Sequence, residues 1–414
     1  MVKAIVIGGG IVGSAIALKL QREGLAVTLV DSPPAHGKCA SWGNAGHIAV
    51  EQVSPLASMD TVLSAPKRLL SRHGALSLPL NGISAWLPFS LRMLRAARPS
   101  AFVHAKTALS GLLSDAIPAW QRFAQDINAP DLLRVDGHFI VWNSAKSAAA
   151  GRQHWFTTNT GTARIRDADK TEFEALRRLS KKPIFGAVHC EGSGQIHDPS
   201  LLFQTLKTQH EARGIVLQSA RVRALSPKGL GAEVILENGE VLNGDVIVVA
   251  AGIGARNLLQ GANHKTPMIA ERGYHVQYEA PAWPAAMPPV VYEDYATIVT
   301  RFDSVLRAAS FVEFTHEGHA PDAAKWRRIA ENVEDLGLST GKEVDHWYGC
   351  RPTLPDYLPA IGKSRKMENV YYAFGHNHLG LTLGHLTAEY IADLICGKNH
   401  EETLRPFSMD RFVH

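Results

Sequence analysis

A short, mostly apolar run from Lys3 to Ile7 opens the chain and breaks at Gly8-Gly9-Gly10-Ile11-Val12-Gly13. Apolar positions then recur at helical spacing (Ala15, Ile16, Leu18, Leu20), and a second apolar run, Val27 to Val30, ends at Asp31. The switch from a continuous run to a 3.6-residue period and back predicts strand, glycine turn, helix, strand, acid. From Val62 to His104 apolar and cationic positions (Lys67, Arg68, Arg72, Arg92, Arg95) alternate at helical spacing, and Leu109 to Ile127 continues as a further helix. That alternation suits a helix lying on a membrane surface; core-facing helices with solvated arginines read the same way and are the commoner case. Strand-like runs at 137–142 and 184–189 bracket a polar helical region. Asp198-Pro199 marks a capped helix start running to about Arg213. Short strands follow at 215–217, 232–236 and 241–242, the last two joined by an Asn238-Gly239 turn. Val246 to Ala251 reads as a buried parallel strand. Runs at 274–278, 290–292, 296–301 and 305–309 read as an antiparallel sheet, and 326–336 as a helix. The strand 370–374, a glycine turn and a helix through Leu394 close the pattern.

The first unit carries chemistry. Gly8 permits a tight turn, Gly10 lets the backbone approach a pyrophosphate, and Gly13 lets the helix pack closely on the sheet. The helix start at Ile11 and Val12 presents N–H donors to phosphates, and Asp31 stands where an acid accepts hydrogen bonds from a ribose. A dinucleotide containing ADP is therefore expected. The loop Cys39-Ala-Ser41-Trp-Gly-Asn44-Ala45-Gly46-His47 is rich in small residues and amides, which suits a loop folded against a ligand. Ala251-Gly252 ends the buried strand in small residues that let a nucleotide pass close by.

Composition narrows the class. In 414 residues, 45% hydrophobic and 20% charged, the prior is two domains in an ordinary globular chain. The net charge of +4 and the absence of a basic run interleaved with aromatics argue against nucleic acid. Cys39, Cys190, Cys350 and Cys396 make neither a CxxC nor a zinc spacing, which fits a reducing compartment. The N-terminus does not read as a signal peptide, and no apolar stretch reaches the roughly 20 residues of a membrane helix. A cytoplasmic location is the resulting expectation. His376, His378 and His385 lack a carboxylate or fourth ligand at usable spacing, so no metal is expected there.

Taken together, the glycine motif ending at Asp31, the loop SWGNAGHI, the strand VIVVAAGIGA, and the segments GCRPTLPDYLPAIG and AFGHNHLGLT resemble the D-amino-acid oxidase superfamily of flavoproteins. Within it the chain is most similar to D-amino-acid and D-hydroxyproline dehydrogenases, with glycine and sarcosine oxidases close by. The similarity covers nearly the whole chain and is thinnest from Pro55 to Ser193. It implies an α/β (α+β) p-hydroxybenzoate-hydroxylase-like fold, in which a Rossmann-like FAD-binding domain (1–75, 195–265, 346–414) is interleaved with an antiparallel-sheet substrate domain (76–194, 266–345).

The resemblance also implies roles. FAD would contact Gly8, Gly10, Ile11, Val12, Gly13, Asp31, Ser41, Asn44, Ala45, Gly46, His47, Val222, Ala251, Gly252, Arg351, Gly375, His378, Leu379, Gly380, Leu381 and Thr382. The backbone N–H groups of Gly380, Leu381 and Thr382 would stabilise the negative charge of reduced flavin. Sarcosine oxidases attach flavin through a cysteine, and Cys350 falls about one place from that position, so FAD is expected to be non-covalent with Cys350 beside the ring. Oxygen-reducing relatives place a lysine near the end of the glycine turn, where Thr382 stands, which favours a dehydrogenase. Arg301 is expected to hold the substrate carboxylate, with Arg351 as second candidate, and His47 and Tyr274 as substrate contacts; Tyr292 is a further phenol. The expected reaction is hydride transfer from Cα of a D-amino or cyclic imino acid to flavin N5. The loop GNAGHI with Glu51-Gln52-Val53 points to cis-4-hydroxy-D-proline, and the alternative is a glycine- or sarcosine-type oxidase using oxygen. A quinone or an electron-transfer partner would be the acceptor, with peripheral contact at the inner membrane face as an accompanying expectation.

Overall fold

The computed structural model describes residues 1–32, 39–303 and 305–413. Lys3–Ile7 lies inside a six-stranded sheet in the order Val216–Ser219, Ala26–Asp31, Lys3–Ile7, Val246–Val249, Val370–Phe374, Ala360–Lys363. The first five strands are parallel and the last pairs antiparallel. Val246–Val249 and Val370–Phe374 are buried at every position, which explains their unbroken apolar runs: helices cover both faces of a parallel sheet. Helix Ile11–Arg22 crosses between the first two strands and packs against helix Gly380–Ile395.

A second, nine-stranded sheet runs Glu343–Thr353, Ile269–Glu279, Val305–Thr315, Thr297–Phe302, Val290–Tyr292, His138–Trp142, Gly186–Glu191 and Arg164–Asp167, with Leu76–Ser77 pairing on the side of Val305–Thr315. It is mainly antiparallel, but Val290–Tyr292 runs parallel to His138–Trp142. Helix Ala323–Leu336 packs Ile329 and Val333 against one face, with Tyr274, Val276 and Val299. The chain thus builds a Rossmann-like sheet from separated segments and a large sheet from the intervening ones, the α/β arrangement its motifs imply. The strand Glu343–Thr353 pairs with Ile269–Glu279 along its length, so it runs through the expected boundary at 346.

Several local readings hold in atomic detail. The Asp198 carboxylate accepts from the Ser200 and Leu201 amides at 2.6 and 3.1 Å, capping helix Pro199–Ala212. Gly239 takes φ of 88° in the turn beside strand Gly231–Leu236. Other stretches differ. The helical text of 62–127 divides into Met59–Leu70, Ile83–Ala96, Pro99–Ser114 and Ala116–Asp126, with Pro99 setting φ at the start of the third. The strands Ile269–Glu279 and Val305–Thr315 are longer than expected, because their remaining parts carry buried charges (Glu271, Arg272, Glu313) that interrupt the apolar pattern.

Candidate active site

The carboxyl ends of the central parallel strands converge on the glycine turn, the place where open α/β sheets hold ligands. Gly8 has φ of 108°, and a Cβ there would lie 2.5 Å from the Ala250 carbonyl oxygen, so this turn abuts the end of the strand that leads to Ala251 and Gly252. A Cβ on Gly13 would lie 1.8 Å from the Gly8 oxygen, which is the close helix–sheet contact expected of this position. At Gly10 a Cβ would find only Ser41 nearby among the described residues, at 3.1 Å. Ser41 Oγ accepts from the Ile11 amide at 3.2 Å. The first helical turn that follows, through Val12, has no acidic residue, and N–H groups of a first turn lack intrahelical partners. Burial pushes the Asp31 carboxyl up, opposed by hydrogen bonds from the Gly9 and Ser32 amides. The Ala220 amide donates to the Asp31 carbonyl at 2.9 Å, bringing the chain leading to Val222 alongside. A glycine cradle, donors and an acid at the strand end fit the ADP portion of FAD.

The loop after Ser41 is folded onto one face of the large sheet. Asn44 accepts from the Gly46 amide at 2.6 Å. Gly46 has φ of 72°, and a Cβ there would lie 2.5 Å from Phe302. Thr300 donates to the Ala45 carbonyl at 2.9 Å, Arg307 to the Asn44 carbonyl, and His275 Nδ1 sits 3.2 Å from the Gly43 carbonyl. From the other side, Thr382 Oγ1 accepts from the Ala49 amide at 3.0 Å. This joins the loop to the N-terminus of helix Gly380–Ile395, where a bound anion or reduced ring system gains from the helix dipole.

Arg351 lies on the same face of the large sheet as His275 and Trp347, since side chains two and four residues apart along strands share a face. Its Nη1 donates to Glu271 Oε1 at 3.3 Å and to the Phe311 carbonyl at 3.2 Å. The guanidinium lies over Gly273, where a Cβ would approach Arg351 Nη2 to 2.2 Å. Glu271 is buried and accepts from Thr353 and Tyr357 at 3.0 and 3.1 Å. The Tyr357 carbonyl in turn accepts from Asn377 Nδ2 at 3.0 Å, and Asn377 Oδ1 accepts from the His378 and Leu379 amides. Phe311, Tyr357 and Asn377 take positive φ of 73°, 58° and 46°, strained backbone of the kind that gathers at functional sites. A continuous polar chain therefore runs from Arg351 to the turn that starts at Gly375. Burial pushes the His378 imidazole down to about 4, so it is neutral near pH 7.

His47 is held by a partner the sequence reading did not supply. Its Nε2 lies 3.0 Å from Glu51 Oε1, and its ring meets His138 edge-on at 4.5 Å. His138 Nδ1 contacts Ser193 Oγ at 2.8 Å. The ligand-capable atoms of His47, Glu51 and His138 lie within 4.8 Å of one another, and the contacts made pair His47 with Glu51 and His138 with Ser193. Burial raises the Glu51 carboxyl, but the charge and hydrogen bond of His47 outweigh it and bring it to about 2. A carboxyl lowered on folding contributes stability above its unfolded value of about 4.3, and loses it as pH falls toward the folded value. Glu51→Gln is therefore expected to lower the melting temperature most at neutral pH, with the gap to the parent narrowing between pH 4.3 and about 2. A gap of constant size at pH 7 and pH 3 would show that the charge contributes nothing.

Other expected site residues lie elsewhere. Arg301 follows Thr300 and turns to the opposite face, where Nη1 donates to the Ala280 and Trp283 carbonyls and Nη2 to Asp303 O at 3.1 Å. Its fork is spent on loop carbonyls beside the ends of its sheet's strands, so the structure separates it from Arg351. Tyr274 also faces away: its hydroxyl donates to Glu313 at 2.7 Å, within a buried ion network of Glu313, Arg272 and Lys325. Tyr292 is buried in the large-sheet core. Cys350 points to the Arg272 side, and burial pushes its thiol up to about 11, so it does not stand with Arg351. His376 contacts Thr387 at 2.9 Å, while His385 stacks on Phe123 at 3.7 Å. The three histidines of this segment are thus dispersed. Glu271, Tyr357 and His138 were missed as site residues by sequence reasoning, and Glu51 was read only as part of a loop that points to the substrate; a charged residue inside an otherwise strand-like run was the available signal for Glu271.

Residues 3–394 match the profile of the FAD dependent oxidoreductase (DAO) family. The chain belongs to that family. A D-amino-acid oxidase from Bradyrhizobium diazoefficiens is 31% identical over 433 aligned positions, covering 99% of this chain and 98% of that protein. Among solved structures, glycine oxidase from Geobacillus kaustophilus superposes with a TM-score of 0.71 at 19% identity over 100% of both chains. Iminodiacetate oxidase from Chelativorans sp. BNC1 gives 0.72 at 17% identity over 98% of both. FAD is the cofactor of this family, and the DAO fold accounts for the two interleaved sheets.

Proposed function

We propose that this DAO-family protein is an FAD-dependent dehydrogenase of D-amino or cyclic imino acids, with cis-4-hydroxy-D-proline the preferred substrate candidate. The observation that carries the reading is Arg351, held by Glu271 over Gly273 on the sheet face that meets the loop 41–47. Among the described residues its Nη2 has no hydrogen-bond acceptor comparable to those of Nη1, and a planar fork is suited to a carboxylate. Arg351, rather than Arg301, is the proposed clamp. Residues Gly8 to Gly13, Asp31, the loop 41–47, Val222, Ala251-Gly252 and 375–382 are the proposed FAD contacts, with FAD held non-covalently and the two sheets serving as FAD-binding and substrate domains. FAD, when bound, supplies a two-electron acceptor for the hydrogen on the substrate's α-carbon. The chain's own contribution is positioning: Arg351 orients the carboxylate, Glu271 fixes Arg351, and the large sheet screens the site from water. The neutral His378 adds no positive charge beside the clamp. The helix start at Gly380, Leu381 and Thr382 favours negative charge on the neighbouring group.

The proposed acceptor is a quinone or an electron-transfer partner, reached at a membrane face. The oxidase reading is favoured by the names of the relatives, a D-amino-acid oxidase and a glycine oxidase. Anaerobic bleaching of the flavin, screened over D-amino acids, glycine, sarcosine and hydroxyproline isomers, identifies the substrate; the hydroxyproline isomer is expected to bleach fastest. Turnover with an added dye is expected to exceed turnover in air. Equal or faster turnover in air, with hydrogen peroxide formed, would move the protein to the oxidase reading.

A further inference from the structure

Helix Ile83–Ala96 carries two apolar faces. Ala85, Trp86, Phe89, Met93 and Ala96 pack on a small cluster with Ile269, Phe314 and Tyr357. Ile83, Leu87, Leu91 and Leu94, spaced four, four and three residues apart, are 46, 44, 56 and 42% exposed. At about 100° per residue this second stripe lies on the far side of the helix from the first. Helix Met59–Leu70 has no buried residue at all. Its Val62 packs on the same cluster, while Leu63 and Leu70 are 73 and 86% exposed. Leu63 and Leu70 stand about 90° around the helix from Val62, so the exposed sets of both helices lie off the cluster the helices share. Single exposed leucines need no explanation, but a concentration of this kind marks an interaction surface.

Charge identifies what the surface meets. From Met59 to Arg98 the cations Lys67, Arg68, Arg72, Arg92, Arg95 and Arg98 stand against one acid, Asp60. A cleft of about 790 Å³ opens beside helix Ile83–Ala96, with the cations Arg92, Arg95, Arg256, Lys265 and Arg405 standing against one acid, Asp356. We propose that this face docks peripherally on an anionic phospholipid bilayer, the leucine stripes entering the interfacial layer and the flanking cations meeting lipid phosphates. A second copy of the chain fits less well: a two-fold contact sets the same patch against itself, bringing six cations against six with one acid on each side. The proposal deepens the membrane-side acceptor reading above, yet its evidence is independent of substrate.

The test is co-sedimentation of the holoenzyme with vesicles of phosphatidylcholine alone and of phosphatidylcholine with phosphatidylglycerol, at low and high salt. Binding is expected only to the anionic vesicles, falling steeply with salt. Arg92→Glu with Arg95→Glu is expected to weaken it at least tenfold, since each basic residue near such a surface contributes roughly a fivefold change. Leu87→Ser with Leu91→Ser should weaken it comparably, and unchanged melting temperatures would verify that both variants fold. Failure to bind, equal binding to neutral vesicles, binding indifferent to both variants, or a concentration-dependent dimer abolished by the leucine variant would each overturn the proposal. None of these outcomes alters flavin reduction by substrate in solution, so the dehydrogenase reading fails separately.

Discussion

Arg351→Ala is expected to slow anaerobic flavin reduction by roughly two to three orders of magnitude while FAD content stays near that of the parent. Removing one partner of a desolvated guanidinium–carboxylate pair costs about 2–5 kcal/mol, and about 1.4 kcal/mol is a factor of ten in rate. The variant also leaves Glu271 buried without its cation, though Thr353 and Tyr357 still donate to it, so some loss of thermal stability should accompany the loss of rate. Arg351→Lys keeps the charge and loses the fork, and should recover stability more than rate. Arg301→Ala is the paired experiment. Its guanidinium serves the Ala280, Trp283 and Asp303 carbonyls, so its removal should lower the melting temperature with flavin reduction within a few fold of the parent. Stopped-flow reduction of both variants decides between them. A fast Arg351→Ala and a slow Arg301→Ala would return the clamp to Arg301.

Gly13→Ala is expected to empty the dinucleotide site. The added Cβ would sit 1.8 Å from the Gly8 oxygen, and the obstacle is backbone, so no side-chain rotation relieves it. Overpacking of this kind forces main-chain movement, here at the turn that must approach the pyrophosphate. The purified variant should retain less than about a tenth of the parent's FAD, read from the ratio of flavin to protein absorbance. Gly111→Ala is the control: a Cβ there meets nothing within 4 Å, and alanine in a helix is favoured over glycine by about 1 kcal/mol. A Gly13→Ala protein as yellow as the control would remove the structural basis for placing FAD at this turn.

What could be read from the sequence divides along the physics of burial. The glycine turn, Asp31, the strand Val246–Val249, the cap at Asp198 and the turn at Asn238-Gly239 are local signals, each set by residues within a few positions of one another. The site at the large sheet was harder because its organisation is polar and distant in sequence. Glu271 meets Arg351 across 80 residues and Tyr357 across 86. The charge that makes it useful also breaks the apolar run that would have announced its strand. Arg301 shows the complementary difficulty: strand alternation turns its neighbour Thr300 toward the loop 41–47 and Arg301 away, which a resemblance read residue by residue does not reveal. Likewise His47 was found without Glu51, four residues on, because helical-style spacing carries no meaning in a loop until the loop's path is known.

The central sheet also sets a timetable for synthesis. Lys3 closes onto Asp245 across 242 residues of chain, and Val246–Val249 pairs with Val370–Phe374 only when that last strand exists. At 5–20 residues per second, roughly 12–48 s separate the emergence of the first strand from that of its inner neighbour. During that interval the strand–helix–strand unit 3–31 has an open, apolar edge on a growing ribosome-bound chain, the condition under which non-local sheets fold slowly and invite aggregation. A nascent chain stalled before residue 246 should therefore remain protease-sensitive in its first thirty residues and engage chaperones, whereas release of the full chain in the presence of FAD should protect them.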